Sequence, residues 1–239
     1  MSEFNRNYST IDSTSSLNSY ITKVFVNMGV GLAITTVVSF GLYMMLMSGS
    51  SLAYALYANP WISFIFLAAQ IGLAIALGTG LSRFSTGTCR ALFYGYSALT
   101  GITFAVLPMA YGLGTFFTAF LFAAVLFGCC AVIGHTTNID LTRFGGMLFG
   151  ALLALVIMTV ISMFIPALRQ NLFIGYIGLL IFLVYTAFDM QKIKQFYYGV
   201  GEGTLKENLA VYAAFQLYLD FINILIYVLR ILGSRSSRD

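Results

Sequence analysis

Two carboxylates stand inside long apolar segments of the sequence, at Asp189 and Asp220. An ionisable side chain in hydrocarbon is costly, so it is a functional hypothesis wherever it occurs. Asp220 lies about eleven residues into the last apolar segment, or roughly 16 Å deep at a helical rise of 1.5 Å per residue. Asp189 lies in the preceding segment, which ends at a turn around residues 199–203.

The turn between these two segments makes them antiparallel, and it sets the relative depth of the two acids. Asp189 precedes Thr204 by 15 positions and Asp220 follows it by 16. Residues equally far from a hairpin turn lie at similar depth, so we expect Asp189 and Asp220 to face each other.

Such a pair has a definite chemistry. Two carboxylates close together in a low dielectric cannot both ionise cheaply, so the pair is expected to hold one proton over part of the physiological pH range. A proton, an Arg or a cation such as Ca²⁺ would neutralise it. Alternatively, each Asp only hydrogen-bonds between helices and holds the bundle together.

The pair alone cannot complete a Ca²⁺ site. Two carboxylates supply at most four of the six to eight oxygens that Ca²⁺ takes. Gln216 and Asn223, at i−4 and i+3 from Asp220, share its helical face and offer amide groups. The sequence therefore predicts a weak, transient Ca²⁺ site at Asp189 and Asp220, with Gln216 and Asn223 as supporting polar groups.

Two further features bear on this site. Arg83 ends the second apolar segment on the side where Asp189 is expected, so it is a candidate for a salt bridge that closes the pair; an ordinary interfacial anchor is the alternative. Gly146, Gly150 and Ala154 recur at every fourth position and predict a face for close helix packing in the fifth segment.

The composition indicates the class of protein that carries these residues. Of the 239 residues 59% are hydrophobic and 8% are charged, whereas a soluble domain carries about 25% charged residues. A soluble globular domain and a disordered chain are both excluded, and the long continuous apolar runs exclude a membrane β-barrel. We predict an all-α polytopic membrane protein.

The positions of the charges predict the number of membrane spans. No charged residue occurs from Val24 to Ser82 or from Ala91 to Ile139, and each run is long enough to cross a bilayer twice, since one span needs about 20 residues. Three shorter apolar segments follow. The predicted order is a polar tail at 1–23, seven spans and a short basic tail at 233–239, the spans being about 24–47, 57–81, 91–111, 114–134, 147–166, 172–195 and 209–232.

The basic residues predict an orientation, because Lys and Arg concentrate on the cytoplasmic side. Eight of the twelve lie on the amino-terminal side of the bilayer, so the amino terminus is expected to be cytoplasmic. The basic carboxyl-terminal tail opposes this arrangement and would fit a last segment that re-enters. The basic residues on the opposite side are Arg169, Arg230, Arg235 and Arg238.

Several functions of polytopic membrane proteins are excluded because the residues they require are not at the required positions. All four Lys lie at segment ends or in loops, so a retinal Schiff base has no mid-membrane partner. Intramembrane aspartyl proteases have one acid after a Tyr and another in a Gly-x-Gly-Asp run, whereas Asp189 follows Phe188 and Asp220 follows Leu219. We find no nucleophile–His pair, metal motif, phosphate loop or nucleic-acid surface. No enzyme activity, cofactor or nucleic-acid partner is predicted.

Several motifs resemble those of one family. The last segment carries AAFQLYLDFIN at 213–223 and LRILG at 229–233, and the sixth carries YTAFDMQKI at 185–193. Further matches are YSALTGIT at 96–103, GHTTNIDLT at 134–142 and SYITKV at 19–24. Over nearly the whole chain after the tail, the sequence resembles the Bax inhibitor-1 family, in its bacterial branch.

The resemblance implies seven helices with the last one central, and a pH-sensitive Ca²⁺ leak. In such proteins two aspartates on the sixth and seventh helices act as the proton sensor, and Asp189 and Asp220 match them. An Arg on the second helix holds the deprotonated pair closed, and Arg83 is the corresponding candidate. Some relatives have a Glu in the second helix where this chain has Gln70, so this chain lacks a carboxylate that the ion path of those relatives contains.

Two functions are therefore expected. The first is a proton-gated Ca²⁺ leak channel in the bacterial inner membrane. The second is a regulator that binds other membrane proteins, because some bacterial relatives restrain a membrane-anchored ATP-dependent protease and eukaryotic relatives suppress cell death. Its support within the sequence is the polar amino-terminal tail, a possible recognition segment.

Overall fold

The computed structural model of the chain describes residues 2–165 and 172–236. Arg169 and Arg238, two of the basic residues used above to predict orientation, lie outside these ranges, as do the last residue of the predicted fifth span and residues 237–239 of the predicted carboxyl-terminal tail.

Within the described ranges every regular element is helical, so the all-α prediction is confirmed. A short 3₁₀ turn at Leu141–Phe144 precedes the seventh helix. In chain order the α-helices are α1 (Ser2–Met47), α2 (Ser51–Ala58), α3 (Pro60–Thr79), α4 (Thr86–Phe104), α5 (Leu107–Tyr111), α6 (Leu113–Thr136), α7 (Gly145–Phe164), α8 (Leu172–Gly199) and α9 (Thr204–Ser236).

The predicted number of spans is confirmed as well. Seven stretches of the described residues are long and apolar enough to cross a bilayer. Many large apolar side chains on them are exposed, among them Val37, Trp61 and Phe149, as lipid contact requires. The spans are Ser15–Met47, Trp61–Thr79, Thr86–Tyr111, Leu113–Thr136, Leu141–Ser162, Leu172–Gly199 and Thr204–Ser234.

Glycine and asparagine separate the helices where the apolar runs break. Gly49 (φ 75°) ends the turn after α1 and Gly112 (φ 80°) separates α5 from α6, a left-handed region that favours glycine. Asn59 caps α3 by accepting a hydrogen bond from the Trp61 backbone N–H, and Pro60 begins that helix.

Helices α1, α8 and α9 are each longer than the spans predicted for them. Helix α1 begins at Ser2 and so continues through residues assigned to the polar tail. Leu17, Tyr20 and Val24 are buried at i, i+3 and i+7, and this apolar face gives the polar segment a reason to remain helical. Helix α8 runs on to Gly199, which places Asp189 within the body of a helix.

The chain forms two compact units, and α8 and α9 contribute to both. The first unit comprises Met1–Ala105 and Ile193–Phe215, and the second comprises Val106–Lys192 and Gln216–Asp239. In the first unit α1 packs tightly against α4. A Cβ at Gly101 would lie 2.8 Å from the Thr35 carbonyl oxygen, and the Thr35 hydroxyl donates to the Ser97 carbonyl at 2.9 Å.

In the second unit, Gly134 of α6 lies directly against the backbone of α8. A Cβ there would overlap the Ala187 carbonyl oxygen. The prediction of close packing at Gly146 and Gly150 is wrong for the described part of the chain. A Cβ added at either glycine would have no described atom within 4 Å, apart from the backbone of its own helix. Both glycines are exposed because they lie on the side of α7 turned away from its neighbours.

The last helix is the most deeply buried span. Its span is Thr204–Ser234, and 67% of the most apolar 18-residue stretch of that span is buried. The corresponding stretches of the other six spans are 39% buried or less. This burial agrees with the prediction that the last helix is central. The last helix is also the one that carries Asp220, so the acid is placed where protein instead of lipid surrounds it.

Candidate functional site

A cavity of about 530 Å³ in the second unit contains the residues singled out by the sequence. It is formed by α7, α8 and the carboxyl-terminal half of α9. Asp189, Asp220, Gln216 and Asn223 all line it, so the structure brings the predicted acids and amides together. Most of the remaining wall is apolar, including Leu152, Leu155, Val156, Val160, Leu219 and Ile226.

Both acids are almost completely removed from solvent. Asp189 is 5% exposed and Asp220 is 3% exposed. No described residue donates a hydrogen bond to Asp220 Oδ2. A buried carboxylate oxygen without a donor is costly, so this atom is suited to hold a proton or contact a cation.

Two amide side chains of α9, those of Gln216 and Asn223, line the cavity. The Asn223 Nδ2 donates to the Leu219 carbonyl oxygen at 2.7 Å, which uses a donor and leaves the amide oxygen as an acceptor. Gln216 lies one turn before Asp220 on the same helix. With the two carboxylates, these amides add oxygens of the kind that Ca²⁺ takes.

The cation beside the pair is Lys192, which the sequence indicated only as one of the four Lys at segment ends or in loops. Its Nζ lies 3.4 Å from Asp189 Oδ1, and its side chain is 23% exposed. The ammonium also lies 5.4 Å from the centre of the Phe188 ring. The i, i+3 spacing of Asp189 and Lys192 on one helix was the available signal, because such positions are neighbours on a helix surface.

Gln191 is a second residue near the pair that the sequence pattern did not indicate. Its Nε2 donates to the Ile139 carbonyl oxygen at 2.7 Å, and its Oε1 accepts from the Leu141 backbone N–H at 2.8 Å. Both bonds hold the loop between α6 and α7 against α8, two positions from Asp189. A glutamine near a helix end gave no particular signal for this role.

The loop held by Gln191 carries a carboxylate of a different kind. The Thr142 hydroxyl donates to Asp140 Oδ1, and the Arg143 Nε donates to Asp140 Oδ2 at 3.0 Å. The Thr142 hydrogen bond is the main reason that the pKa of Asp140 is lowered from its ordinary value, and Arg143 adds to the effect. Asp140 therefore stays ionised at neutral pH.

Arg83 and Gln70 lie in the first unit. Arg83 is exposed in the turn between α3 and α4. Asn208 holds that turn by donating from Nδ2 to the carbonyl oxygens of Leu81 and Phe84 at 2.8 and 2.9 Å. Gln70 donates from Nε2 to the Thr100 hydroxyl at 3.1 Å. The role of Arg83 as the residue that closes the acidic pair stays a prediction.

Arg230 lies at the other end of the cavity. It lines the same wall as Asp220 and follows it by ten positions on α9, which is about 15 Å along a helix. The described residues contain no group of three or more His, Cys, Asp and Glu side chains placed to hold a metal ion. The site thus consists of two acids with a nearby Lys, amides beside them, and an Arg at a distance.

Seven apolar helices with two buried acids in one cavity define a polytopic helical membrane protein with an intramembrane acidic site. Residues 17–237 match the family model described as "Inhibitor of apoptosis-promoting Bax1". The chain belongs to the Bax inhibitor-1 family, as the sequence motifs predicted.

Bacterial relatives match this chain over most of its length. An uncharacterized protein of Borreliella burgdorferi is 34% identical over 219 residues, which is 91% of this chain and 93% of that protein. The inner membrane protein YbhL of Escherichia coli K12 is 30% identical over 237 residues, 98% of this chain and all of YbhL. A Deinococcus radiodurans protein is 36% identical over 167 residues, 70% of this chain and 72% of that protein.

Proposed function

We propose that this protein is a pH-sensitive Ca²⁺ leak channel of the bacterial inner membrane, gated by Asp189 and Asp220, with its amino terminus in the cytoplasm. The location follows the name of YbhL, an inner membrane protein, and the orientation follows the distribution of Lys and Arg. One observation carries the proposal: both acids line a single cavity within the span region and are almost fully buried.

The gating argument rests on charge. Two carboxylates in one poorly solvated cavity repel each other, so the doubly ionised state needs a compensating cation. Lys192, at 3.4 Å from Asp189, compensates part of that charge. Protonation of the pair weakens the attraction to Lys192 and to any further cation such as Arg83, and thereby shifts the equilibrium from the closed to the open conformation.

Ca²⁺ is the cargo in this proposal. An ion that reaches the acids meets two carboxylates and the amide groups of Gln216 and Asn223. Waters must supply the remaining oxygens, which makes the site weak. Weak binding suits transit, because an ion must also leave.

The proposal is tested by reconstitution of the purified protein in liposomes. Ca²⁺ entry is recorded with an enclosed indicator from about pH 6 to about pH 8, beside empty liposomes. We expect entry that rises as the pH falls, because protonation of the pair favours the open state. Entry no faster than in empty liposomes would contradict the channel and favour the alternative function, regulation through binding a membrane protein such as a protease.

Lys192 provides a second test, through the variant Lys192→Met. Removing a cation 3.4 Å from Asp189 makes the ionised pair less favourable, so protons should bind at higher pH. We expect the midpoint of Ca²⁺ entry to move upward by about one pH unit. The matched control is Lys194→Met, two positions further on α8 and turned by about 200° around the helix. An unchanged midpoint in Lys192→Met would show that Lys192 does not act on the pair.

A further inference from the structure

A second polar cavity lies in the first unit, between α1 and α4, and has no part in the function proposed above. Its volume is about 350 Å³. Lys23 and Arg90 line it, together with the hydroxyl-bearing side chains of Ser19, Thr22 and Tyr94. No Asp or Glu is among its lining residues, so it is a basic site.

The depth of this basic cavity follows from the sequence. Lys23 is the last charged residue before the uncharged run that begins at Val24, and Arg90 is the last before the run that begins at Ala91. Both cations therefore mark the edge of the hydrocarbon layer, on the same side of the bilayer as the amino terminus. With the amino terminus in the cytoplasm, as proposed above, this is the cytoplasmic side. The structure places these two edge residues in one cavity.

The two cations differ in what they already bind. Lys23 Nζ lies 2.6 Å from Glu207 Oε1, so its charge is compensated, but an ammonium has three N–H donors and can still donate to a phosphate oxygen. Arg90 is exposed, and no acidic side chain among the described residues is paired with it. The planar guanidinium of an Arg offers paired N–H donors that match a phosphate group.

The wall of the cavity is fixed by one hydrogen bond between α4 and α1 and by a second within α1. The Tyr94 hydroxyl donates to Asn27 Oδ1 at 3.0 Å, and Asn27 Nδ2 donates to the Lys23 carbonyl oxygen at 2.7 Å. On the hydrocarbon side of Lys23, Val26 and Val30 are 59% and 39% exposed and lie one turn apart. A basic pocket thus adjoins an apolar stripe, the arrangement that an amphiphile with an anionic head requires.

We propose that the cavity between α1 and α4 binds the phosphate of an anionic phospholipid headgroup through Arg90 and Lys23, with an acyl chain along Val26 and Val30. Phosphatidylglycerol is the probe of choice, because it carries one phosphate and a net negative charge. Soluble phosphate shares the recognised chemistry and is separated from the lipid by the experiment.

The test is native mass spectrometry of the detergent-purified protein with phosphatidylglycerol or phosphatidylcholine. We expect selective binding of phosphatidylglycerol, weakened about fivefold in Arg90→Ala and partly retained in Arg90→Lys, which keeps the charge but loses the planar group. The matched control is Arg143→Ala, because Arg143 is also exposed and is paired with Asp140 in a different loop.

Two results would overturn the proposal. One is phosphatidylglycerol binding by Arg90→Ala that equals binding by the unaltered protein. The other is equal binding of both lipids. Millimolar inorganic phosphate is added as a competitor in a parallel series: persistence of the bound lipid supports the headgroup as the ligand, whereas its complete loss would overturn the lipid assignment and favour soluble phosphate.

Discussion

Replacing Asp220 with Asn is expected to abolish the pH dependence of Ca²⁺ entry in liposomes. Asn has the shape of a protonated Asp but cannot ionise, so the repulsion between two buried carboxylates disappears at every pH. A shift of one pKa unit corresponds to about 1.4 kcal/mol, or a tenfold change in an equilibrium constant. Ca²⁺ entry that rises steeply on acidification in the unaltered protein should therefore become independent of pH in the variant. Its rate should stay near the rate that the unaltered protein reaches at acid pH.

Asp189→Asn should have the same effect, because either substitution leaves a single carboxylate in the cavity and so removes the repulsion between two. The matched control is Asp140→Asn. Asp140 is a half-exposed carboxylate in the loop between α6 and α7, paired with Arg143 at 3.0 Å, and its removal should leave the pH profile in place.

The Asp220→Asn experiment separates gating from helix packing. If Asp220 only held helices together, Asn would still hydrogen-bond, and the pH profile would survive with little change in thermal stability. A pH profile that is retained in both Asn variants would contradict the sensor. Thermal unfolding of each variant in detergent accompanies the flux measurement, so a misfolded protein is not mistaken for a flat profile.

The sequence predicted the helical class, the number of spans and the family because each depends on a property that is local. Uncharged runs such as Val24–Ser82 must lie in lipid wherever they pack. The convergence of Asp189 and Asp220 on one cavity was also foreseeable, since both flank the same turn at nearly equal distance.

What the sequence did not predict depends on particular side-chain contacts. Lys192 was predicted only to mark a span end, as basic residues commonly do, but it lies one turn after Asp189 on α8 and its ammonium is 3.4 Å from that carboxylate. Gln191 holds the backbone at Ile139 and Leu141, about 50 positions away along the chain. Spacing rules describe neighbours on one helix and give no account of such long-range partners.

The small-residue pattern at Gly146 and Gly150 misled for a related reason. A repeat of glycines permits close packing but does not supply the partner helix. In the second unit the close approach occurs instead at Gly134, which belongs to no such repeat, because the α8 backbone at Ala187 passes over it. Whether a position must be glycine therefore depends on the helix that packs against it, and not on the spacing of glycines along the sequence.

Gly134→Ala is therefore expected to have the largest effect on stability. The added methyl group would overlap the Ala187 carbonyl oxygen and lie 2.6 Å from the Ala187 Cα. These are backbone atoms, which cannot rotate away as a side-chain end can, so α6 and α8 must separate. Overpacking of this kind costs about 2–3 kcal/mol, and we expect the unfolding temperature in detergent to fall by about 5 °C or more.

The matched control is Gly128→Ala, on the same helix α6, where an added Cβ has no described atom within 4 Å. Alanine favours a helix over glycine by about 1 kcal/mol, so this variant should be at least as stable as the unaltered protein. Equal unfolding temperatures for the Gly134 and Gly128 variants would contradict the close approach. Because Ala187 lies two positions before Asp189, separation of α6 from α8 should also displace that acid and shift the pH midpoint of Ca²⁺ entry, which Gly128→Ala should leave unchanged.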